Sequence, residues 1–376
     1  MKTKSHFTVL QILPSLEGGG VERGTLEVSA ELVKRGWRSI VISGGGRLVK
    51  ELCSDGGEHV QWGIGEKSLV TFRYVKLLRE FLIREKVDIL HVRSRVPAWI
   101  AFLAWRKMDP ATRPRFVTTV HGLYSVSKYS RIMTRGERVI AVSETAKQYI
   151  LENYPDVPEA RISVIHRGVD RDDFPLGYRP DGTWLENWYG EYPQLRNKVV
   201  FTLAGRLTRL KGHLDFLDLV AVLKSRGVEV YGLLVGGEDP RRKAYARELR
   251  AKCESLEITD QVVFAGHRSD IREIYSVSDL VFSLSTKPES FGRTVVEALS
   301  LGVPVIGYDH GGVGEILEQL FPQGRVALGD ARELCERVES VLSNKLAVEP
   351  FDGFTLQAML EHTLAVYEKL AVENRS

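Results

Sequence analysis

Two carboxylates with seven residues between them, Glu289 and Glu297, lie in the stretch Lys287-Pro288-Glu289-Ser290-Phe291-Gly292-Arg293-Thr294-Val295-Val296-Glu297. Paired carboxylates that accept hydrogen bonds from vicinal hydroxyls are a usual means of holding sugars and ribose. If a helix begins at Arg293, the amides of Gly292 to Val295 are unpaired donors at a positive dipole end, poised for phosphate. Glu289 then projects from the preceding loop, and Glu297 sits just over one turn inside the helix. A helix-start acid and a core-edge glutamate have the same spelling, so the pair by itself leaves both readings open.

Two other groups could share that chemistry. Gly205-Arg206 follows an apolar run, and Lys211-Gly212 comes five residues later at the start of a helical pattern. An arginine fork and a lysine point charge converging at a strand end can neutralise a diphosphate, whereas each alone is an ordinary surface cation. In the N-terminal half, Gly18, Gly19 and Gly20 lie between the first strand and first helix, where bare backbone and a helix N-terminus favour phosphate. A dinucleotide fingerprint fails at both glycine clusters. Counted from Gly18 it needs glycine where Arg23 stands, and counted from Gly44 it needs glycine where Val49 stands, which disfavours a nicotinamide oxidoreductase.

The elements that must position these residues alternate between short apolar runs and amphipathic helical patterns, the signature of βα units and a parallel sheet. Strands are expected over 7–13, 37–43, 88–92, 116–120 and 138–142, with helices over 21–34, 69–84 and 97–107 and another following Ser143, a suitable N-cap. The carboxyl ends of these strands should line one edge, where ligands of such sheets bind. Asp172 to Asn197 is rich in Pro, Gly, Trp and Tyr without periodicity, so the interdomain connection is placed there. A second βα series follows, with strands over 199–203, 228–235, 262–265, 280–284 and 303–308, and helices that include 241–256 and 293–301. The expected architecture is α/β: an N-terminal Rossmann-like domain over 1–172, a linker over 173–197 and a second doubly wound domain over 198–354. The amphipathic segment 355–376 is expected to pack back on the first domain. The two domains would face one another across a cleft suited to a substrate with two distinct halves.

Composition is compatible with this reading. The chain has 376 residues, room for two domains of similar size, and its 43% hydrophobic and 27% charged residues are those of an ordinary globular protein. A formal charge of +3 is too mild to argue for nucleic acid. Arg93, Arg95, Arg106, Lys107, Arg113, Arg115, Lys128, Arg131, Arg135 and Arg138 nevertheless cluster in the N-terminal half, either as solvated helix faces or as a basic face for an anionic surface or acceptor. Cys53, Cys253 and Cys335 are widely spaced and form no metal-ligand pattern, so they read as reduced cysteines. No secretory signal or spanning segment is evident. The expected location is cytoplasmic, with any membrane contact peripheral, on the cytoplasmic face of the inner membrane.

The ordered motifs resemble those of family 4 glycosyltransferases, retaining enzymes of the GT-B fold. Glu289 to Glu297 resembles their Glu-x7-Glu signature, and Gly302-Val303-Pro304-Val305 and Gly311-Gly312 follow as in that family. Gly19-Gly20-Val21-Glu22, His121-Gly122, Gly168-Val169-Asp170, Gly205-Arg206 and Lys211-Gly212 also match in order. The resemblance implies a catalytic set of Arg206, Lys211, Glu289 and His121. Glu297 would hold the ribose, Glu289 with the Phe291-Gly292 backbone the donor sugar, and Arg206, Lys211 and the Thr294 and Val295 amides the diphosphate. Backbone near His267-Arg268 would contact the base, and Gly19 and Gly20 would admit the phosphates. Serine at 290 replaces the usual glycine, and Arg293 is unusually charged for its position, either touching a phosphate or capping a turn.

The resemblance further implies transfer from a nucleotide-diphosphate sugar with retention, without a metal or other cofactor; Asp170-Arg171-Asp172 is taken as structural. On the acceptor side Glu22, Tyr124, Lys128 and Arg131 mix aromatics with cations, which suits a phosphorylated glycan or lipid-linked acceptor. Glu22-Arg23-Gly24 and Val120-His121-Gly122-Leu123-Tyr124 look most like bacterial lipopolysaccharide-core transferases, which favours UDP-glucose as donor and GDP-mannose second. The competing readings are a catalytically silent glycan-binding or scaffold protein on the same fold, and a nucleotide-sugar epimerase. The latter needs acid/base carboxylates on both walls, for which Glu22 is the only evident N-terminal candidate.

Overall fold

A computed structural model describes residues 6–237 and 243–373. The chain divides into two compact units, one running to Arg167 and resuming at Leu356, the other Gly168–Thr355. The expected helix start at 241 and the end of the terminal segment at 376 lie outside the described residues.

The first unit is a seven-stranded sheet of β1 (Thr8–Ile12), β2 (Arg38–Ser43), β3 (Glu58–Gln61), β4 (Ile89–Val92), β5 (Arg115–Val120), β6 (Arg138–Ala141) and β7 (Ile162–Val164), in the order β3-β2-β1-β4-β5-β6-β7. Every pair is parallel, with Ile12 opposite Ile42 on one side and Val92 on the other. Helices on both faces bury such a sheet completely, which is why its inner strands read as near-continuous apolar runs. Edge strand β3, Glu-His-Val-Gln, has no buried residue, and β7 has only three residues. Neither carries a periodic apolar signal, and both went unexpected.

The second unit repeats the plan in six parallel strands: β8 (Val199–Ala204), β9 (Val230–Val235), β10 (Val262–Gly266), β11 (Leu280–Ser283), β12 (Val305–Tyr308) and β13 (Arg325–Val326), ordered β10-β9-β8-β11-β12-β13. In each sheet the order reverses beside its first strand, between β1 and β4 and between β8 and β11. The crevice at the carboxyl edge of such a reversal is where open α/β sheets bind ligands.

Two segments depart from their expected positions. Residues 173–197 are not a separate linker, and the break between units falls at 167/168 rather than after 172. Asp181 caps a helix over Gly182–Glu191 by accepting from the Trp184 amide at 2.8 Å. Trp188, stacked on Trp184 at 5.1 Å, is buried with Leu195, Val200, Leu233 and Ile274. Large aromatics let a ten-residue helix without strong periodicity bury enough area to join the second core. The helix Leu356–Glu373 belongs to the first unit, where Met359, Leu364, Tyr367 and Leu370 share a core with Val9, Val28, Leu32 and Ile140.

Candidate functional site

In the second unit the loops after β8 and β11 flank the order reversal and are stitched together. The Thr286 amide donates to the Leu210 carbonyl at 2.9 Å. Gly212, at φ +72°, lies so close that a Cβ there would meet the Leu284 carbonyl oxygen at 1.9 Å, so glycine is the only residue this approach admits. The result is an ion pair that neither loop makes alone: Lys211 Nζ lies 2.7 Å from Glu289 Oε1, with side-chain exposures of 31% and 28%. Ser285 Oγ donates to the same Oε1, and His310 Nε2 donates to the Ser285 carbonyl at 2.6 Å. Behind them Gly311 and Gly312 open the helix Gly311–Leu320, and the Gly312 amide donates to the Glu289 carbonyl at 2.7 Å. Glu289 is thus held from both ends, by a cation at its carboxylate and by a helix start at its main chain.

The helix Arg293–Ser300 begins after Gly292 without a side-chain cap. The expected row of open amide donors is shorter than the sequence suggests. The Val295 amide is not an open donor, since it donates to the Gly292 carbonyl at 3.0 Å in a tightened first turn, a common way for helix ends to satisfy themselves. Thr294 makes no such main-chain bond among the described residues. Glu297 is 9% exposed and receives Arg293 Nε at 3.0 Å, so Arg293 pairs with the acid one turn on. The fully buried Tyr275 has its hydroxyl pushed above its ordinary range by burial and then by the nearby Glu297 charge.

Arg206 is exposed on the loop after β8, with Lys211 lying against the neighbouring Gly205 at 3.3 Å from where a Cβ would be. His267 is exposed after β10. Arg268 is committed elsewhere: it forks onto Asp270 at 2.9 and 2.7 Å and reaches Glu191 at 3.1 Å. Its side chain braces the Gly182–Glu191 helix, leaving only the local main chain for a ligand. Asp170 accepts from the Asp172 amide at 2.9 Å, and Arg171 packs on Phe351 at 5.0 Å. Among the described residues no group of three or more His, Cys, Asp or Glu side chains is placed to hold a metal.

In the first unit the helix Gly20–Lys34 starts at the carboxyl edge, with Gly19 as its N-cap. Gly18, at φ +142°, has the Arg47 guanidinium where its Cβ would be, and Arg47 Nε donates to the Glu17 carbonyl. Glu22 folds back towards Gly19, its Oε2 2.7 Å from the position a Cβ would take there. Sequence reasoning missed Arg47. The signal was the run Gly44-Gly45-Gly46-Arg47, tested only as a dinucleotide fingerprint, although Gly46 at φ +138° lets it pack against the Leu16 main chain.

His121 follows β5 and is half-buried. Arg167 Nη2 donates to its Nδ1 at 2.8 Å, so the imidazole is neutral with its proton on Nε2. Burial, then the Arg167 and Arg93 charges, hold its pKa well below the ordinary imidazole range. Arg93, expected on a basic surface, is instead 5% exposed and forks onto Gln11 Oε1 at 3.0 and 2.7 Å. His91 is fully buried, with Nδ1 2.6 Å from Tyr367 Oη and Nε2 2.6 Å from Thr119 Oγ1. These groups enclose a cavity of about 20 Å³. Of the residues expected on the acceptor side, Tyr124 lies under the Arg95 guanidinium at 4.8 Å, Arg131 is paired with Asp156, and Lys128 is exposed.

Residues 18–173 match the description Glycosyltransferase Family 4, and residues 190–351 match Glycosyl transferases group 1. The crystal structure of a glycosyltransferase from Rickettsia africae superposes with a TM-score of 0.84 at 31% identity, covering 97% of this chain and 98% of that one. This chain belongs to the group 1 glycosyltransferases. The glycosyltransferase is also 28% identical over 350 residues to N-acetyl-alpha-D-glucosaminyl L-malate synthase of Bacillus anthracis, covering 89% of this chain and 84% of that protein. The structure of Anabaena HepE in complex with UDP and glucose shares its fold, with a TM-score of 0.74 at 20% identity over 98% and 97% of the two chains. Both halves of the GT-B plan are therefore present in this glycosyltransferase, each with an order reversal and a glycine-lined edge.

Proposed function

We propose that this glycosyltransferase moves a hexosyl unit from a nucleotide-diphosphate sugar, UDP-glucose first and GDP-mannose second, to a glycan or lipid-linked acceptor with retained configuration. The observation that carries the reading is the Lys211–Glu289 pair at the order reversal of the second sheet. It sets a cation for the leaving diphosphate beside a carboxylate for sugar hydroxyls. Arg206, Lys211 and the Thr294 amide supply preorganised positive charge where the diphosphate forms, the task a divalent ion performs elsewhere, so the reaction is proposed to run without one. His121, kept neutral beside Arg167 at the carboxyl edge of the first sheet, is assigned a place by the donor sugar near the reacting centre, and Glu297 accepts from ribose. Crystallisation of HepE with UDP and glucose supports the donor class. The malate synthase name supports a small or anionic acceptor group, and the Glu22-Arg23-Gly24 and His121-Gly122-Leu123-Tyr124 spellings support a cell-envelope glycan such as lipopolysaccharide core.

Transfer or hydrolysis of UDP-sugars in the presence of a chelator, with the anomeric configuration of the product read by NMR, tests the reading. Removing one preorganised electrostatic contact from an active site costs on the order of 10²–10³ in kcat, so Lys211→Ala and Glu289→Ala should each lose about that while circular dichroism stays native. Wild-type turnover in both variants would remove the assignment. An inverted product would remove retention.

A further inference from the structure

The short turn Leu69–Arg73 in the first unit presents its apolar side chains the wrong way round for a globular surface. Leu69 is 86% exposed, Val70 61% and Phe72 52%, while the polar Thr71 between them is 3% exposed. The turn is well held. Ser68 Oγ accepts from the Val70 amide at 3.2 Å, Thr71 Oγ1 donates to the Glu66 carbonyl at 2.9 Å, and the Thr71 amide donates to the Ser68 carbonyl at 3.1 Å. Behind it lies a groove of about 660 Å³ lined by Leu69, Phe72, Trp99, Ile100, Leu103 and Tyr129. Trp99 Nε1 donates to the Tyr129 carbonyl at 3.1 Å, and the Arg95 guanidinium covers the Tyr129 ring at 5.3 Å, so the far wall is fixed as well. Contiguous exposed apolar surface of this kind marks a site of contact with something apolar.

Charge decides what covers it. Lys67 and Glu66 line the groove, and Arg73, Lys76 and Lys128, each close in the chain to a lining residue, are exposed, with Lys76 3.8 Å from Glu80. A second copy docking by a twofold axis would set this basic rim against itself. An anionic bilayer would accept both features, the side chains among its acyl chains and the cations among its headgroups. We infer that the turn Leu69–Arg73 and the groove behind it seat this unit on an anionic lipid bilayer, with Leu69, Val70 and Phe72 entering the interface. None of those three residues belongs to the donor or acceptor sets, so the inference stands apart from the proposed reaction.

Flotation of the full chain with vesicles of phosphatidylcholine alone and with about 30% phosphatidylglycerol tests it. The expected result is binding to the anionic vesicles that falls steeply between roughly 0.1 and 0.5 M salt and is weak on neutral ones. Each cation near such a surface strengthens partitioning by about fivefold, so Lys67→Glu/Arg73→Glu should weaken binding at least about 25-fold. Leu69→Ser/Phe72→Ser should weaken it at least tenfold or so, by removing the inserted surface. The UDP-induced rise in melting temperature should be unchanged in both variants. Its absence in the wild type would count against the donor reading and leave this one standing. Should a double variant misfold, quenching by brominated lipids of the fluorescence that Trp99→Phe removes gives an independent reading on the native chain. Equal binding to neutral vesicles, no binding to either, no quenching, or a dimer that Leu69→Ser/Phe72→Ser dissolves would overturn the inference.

Discussion

Gly311→Ala is the sharpest perturbation of the loop that carries Glu289. Gly311 sits at φ +61°, and a Cβ there would lie 2.7 Å from the Glu289 carbonyl oxygen and 2.9 Å from both the Glu289 nitrogen and Pro288 Cβ. The left-handed backbone costs alanine about 1–2 kcal/mol. Because the obstructing atoms are mainly backbone, relief to an ordinary contact near 3.4 Å moves the Glu289 main chain by about 0.7 Å, a strain of about 1–3 kcal/mol. The variant should therefore be about 2–5 kcal/mol less stable in urea unfolding. A shift approaching 1 Å at a positioned catalytic group costs on the order of 10²-fold, and the Lys211–Glu289 contact of 2.7 Å leaves no slack to absorb it. Steady-state transfer from UDP-glucose should show kcat/KM lowered by about 10- to 100-fold in protein that remains native by circular dichroism. Two comparisons isolate the cause. Gly311→Asn tolerates the left-handed backbone but still carries the Cβ, so it should remain impaired. Gly190→Ala, in a helix with nothing within 4 Å of its Cβ, should keep full activity and gain up to about 1 kcal/mol. Wild-type kinetics and unfolding in Gly311→Ala would show that the loop absorbs the Cβ without moving Glu289, and full rescue by asparagine would show that backbone conformation, not contact with Glu289, was responsible.

Other outcomes follow from buried polar groups. His213 is fully buried, and burial, partly offset by the Thr208 main chain, lowers its pKa to about 4. The unfolded chain then binds the proton that the native state refuses, so stability present above about pH 6.5 should fall as pH drops towards about 4, by up to about 3 kcal/mol. His213→Leu should flatten that part of the stability profile, and an unchanged acid slope would show that other groups set it. Arg167→Met removes the donor to His121 Nδ1 and one of the charges near it. The imidazole, with Arg93 and His91 still nearby, should titrate closer to the ordinary range and mix its tautomers by 15N NMR, with kcat lowered about tenfold; an unaltered spectrum would mean that Arg167 does not set the ring's state. Tyr367→Phe should cost about 1–3 kcal/mol, since it leaves a buried His91 nitrogen without its hydroxyl partner, and denaturant midpoints equal to wild type would show that the bond carries no net weight.

Much of the plan was written locally. Alternating apolar runs and helical periods specify two α/β units because a strand buried on both faces and an amphipathic helix each impose their own spacing on a few neighbouring residues. Ser143 was legible as a cap for the same reason, and its Oγ accepts the Ala146 amide at 2.9 Å. Gly212 and Gly311 were legible only as motif residues; their positive φ and their close approaches to Leu284 and Glu289 emerge in the folded loops. The ordered motifs sufficed to place the chain among the glycosyltransferases. Other features depended on partners far away in the chain. Lys211 finds Glu289 across 78 residues and His91 finds Tyr367 across 276, distances over which no periodicity operates. Arg93 reads as a surface cation beside Arg95 until strand β4 turns it inward onto Gln11. Residues 173–197 read as a connector until Trp188 meets Val200 and Ile274. Arg47 acquires a place only when Gly46 lets its loop fold onto Leu16 and Gly18. Residue order settled which side chains and local conformations were available. Tertiary structure alone decided which charges are buried, which are paired, and which face solvent, because desolvation and Coulomb terms depend on neighbours that only the folded sheet order brings together.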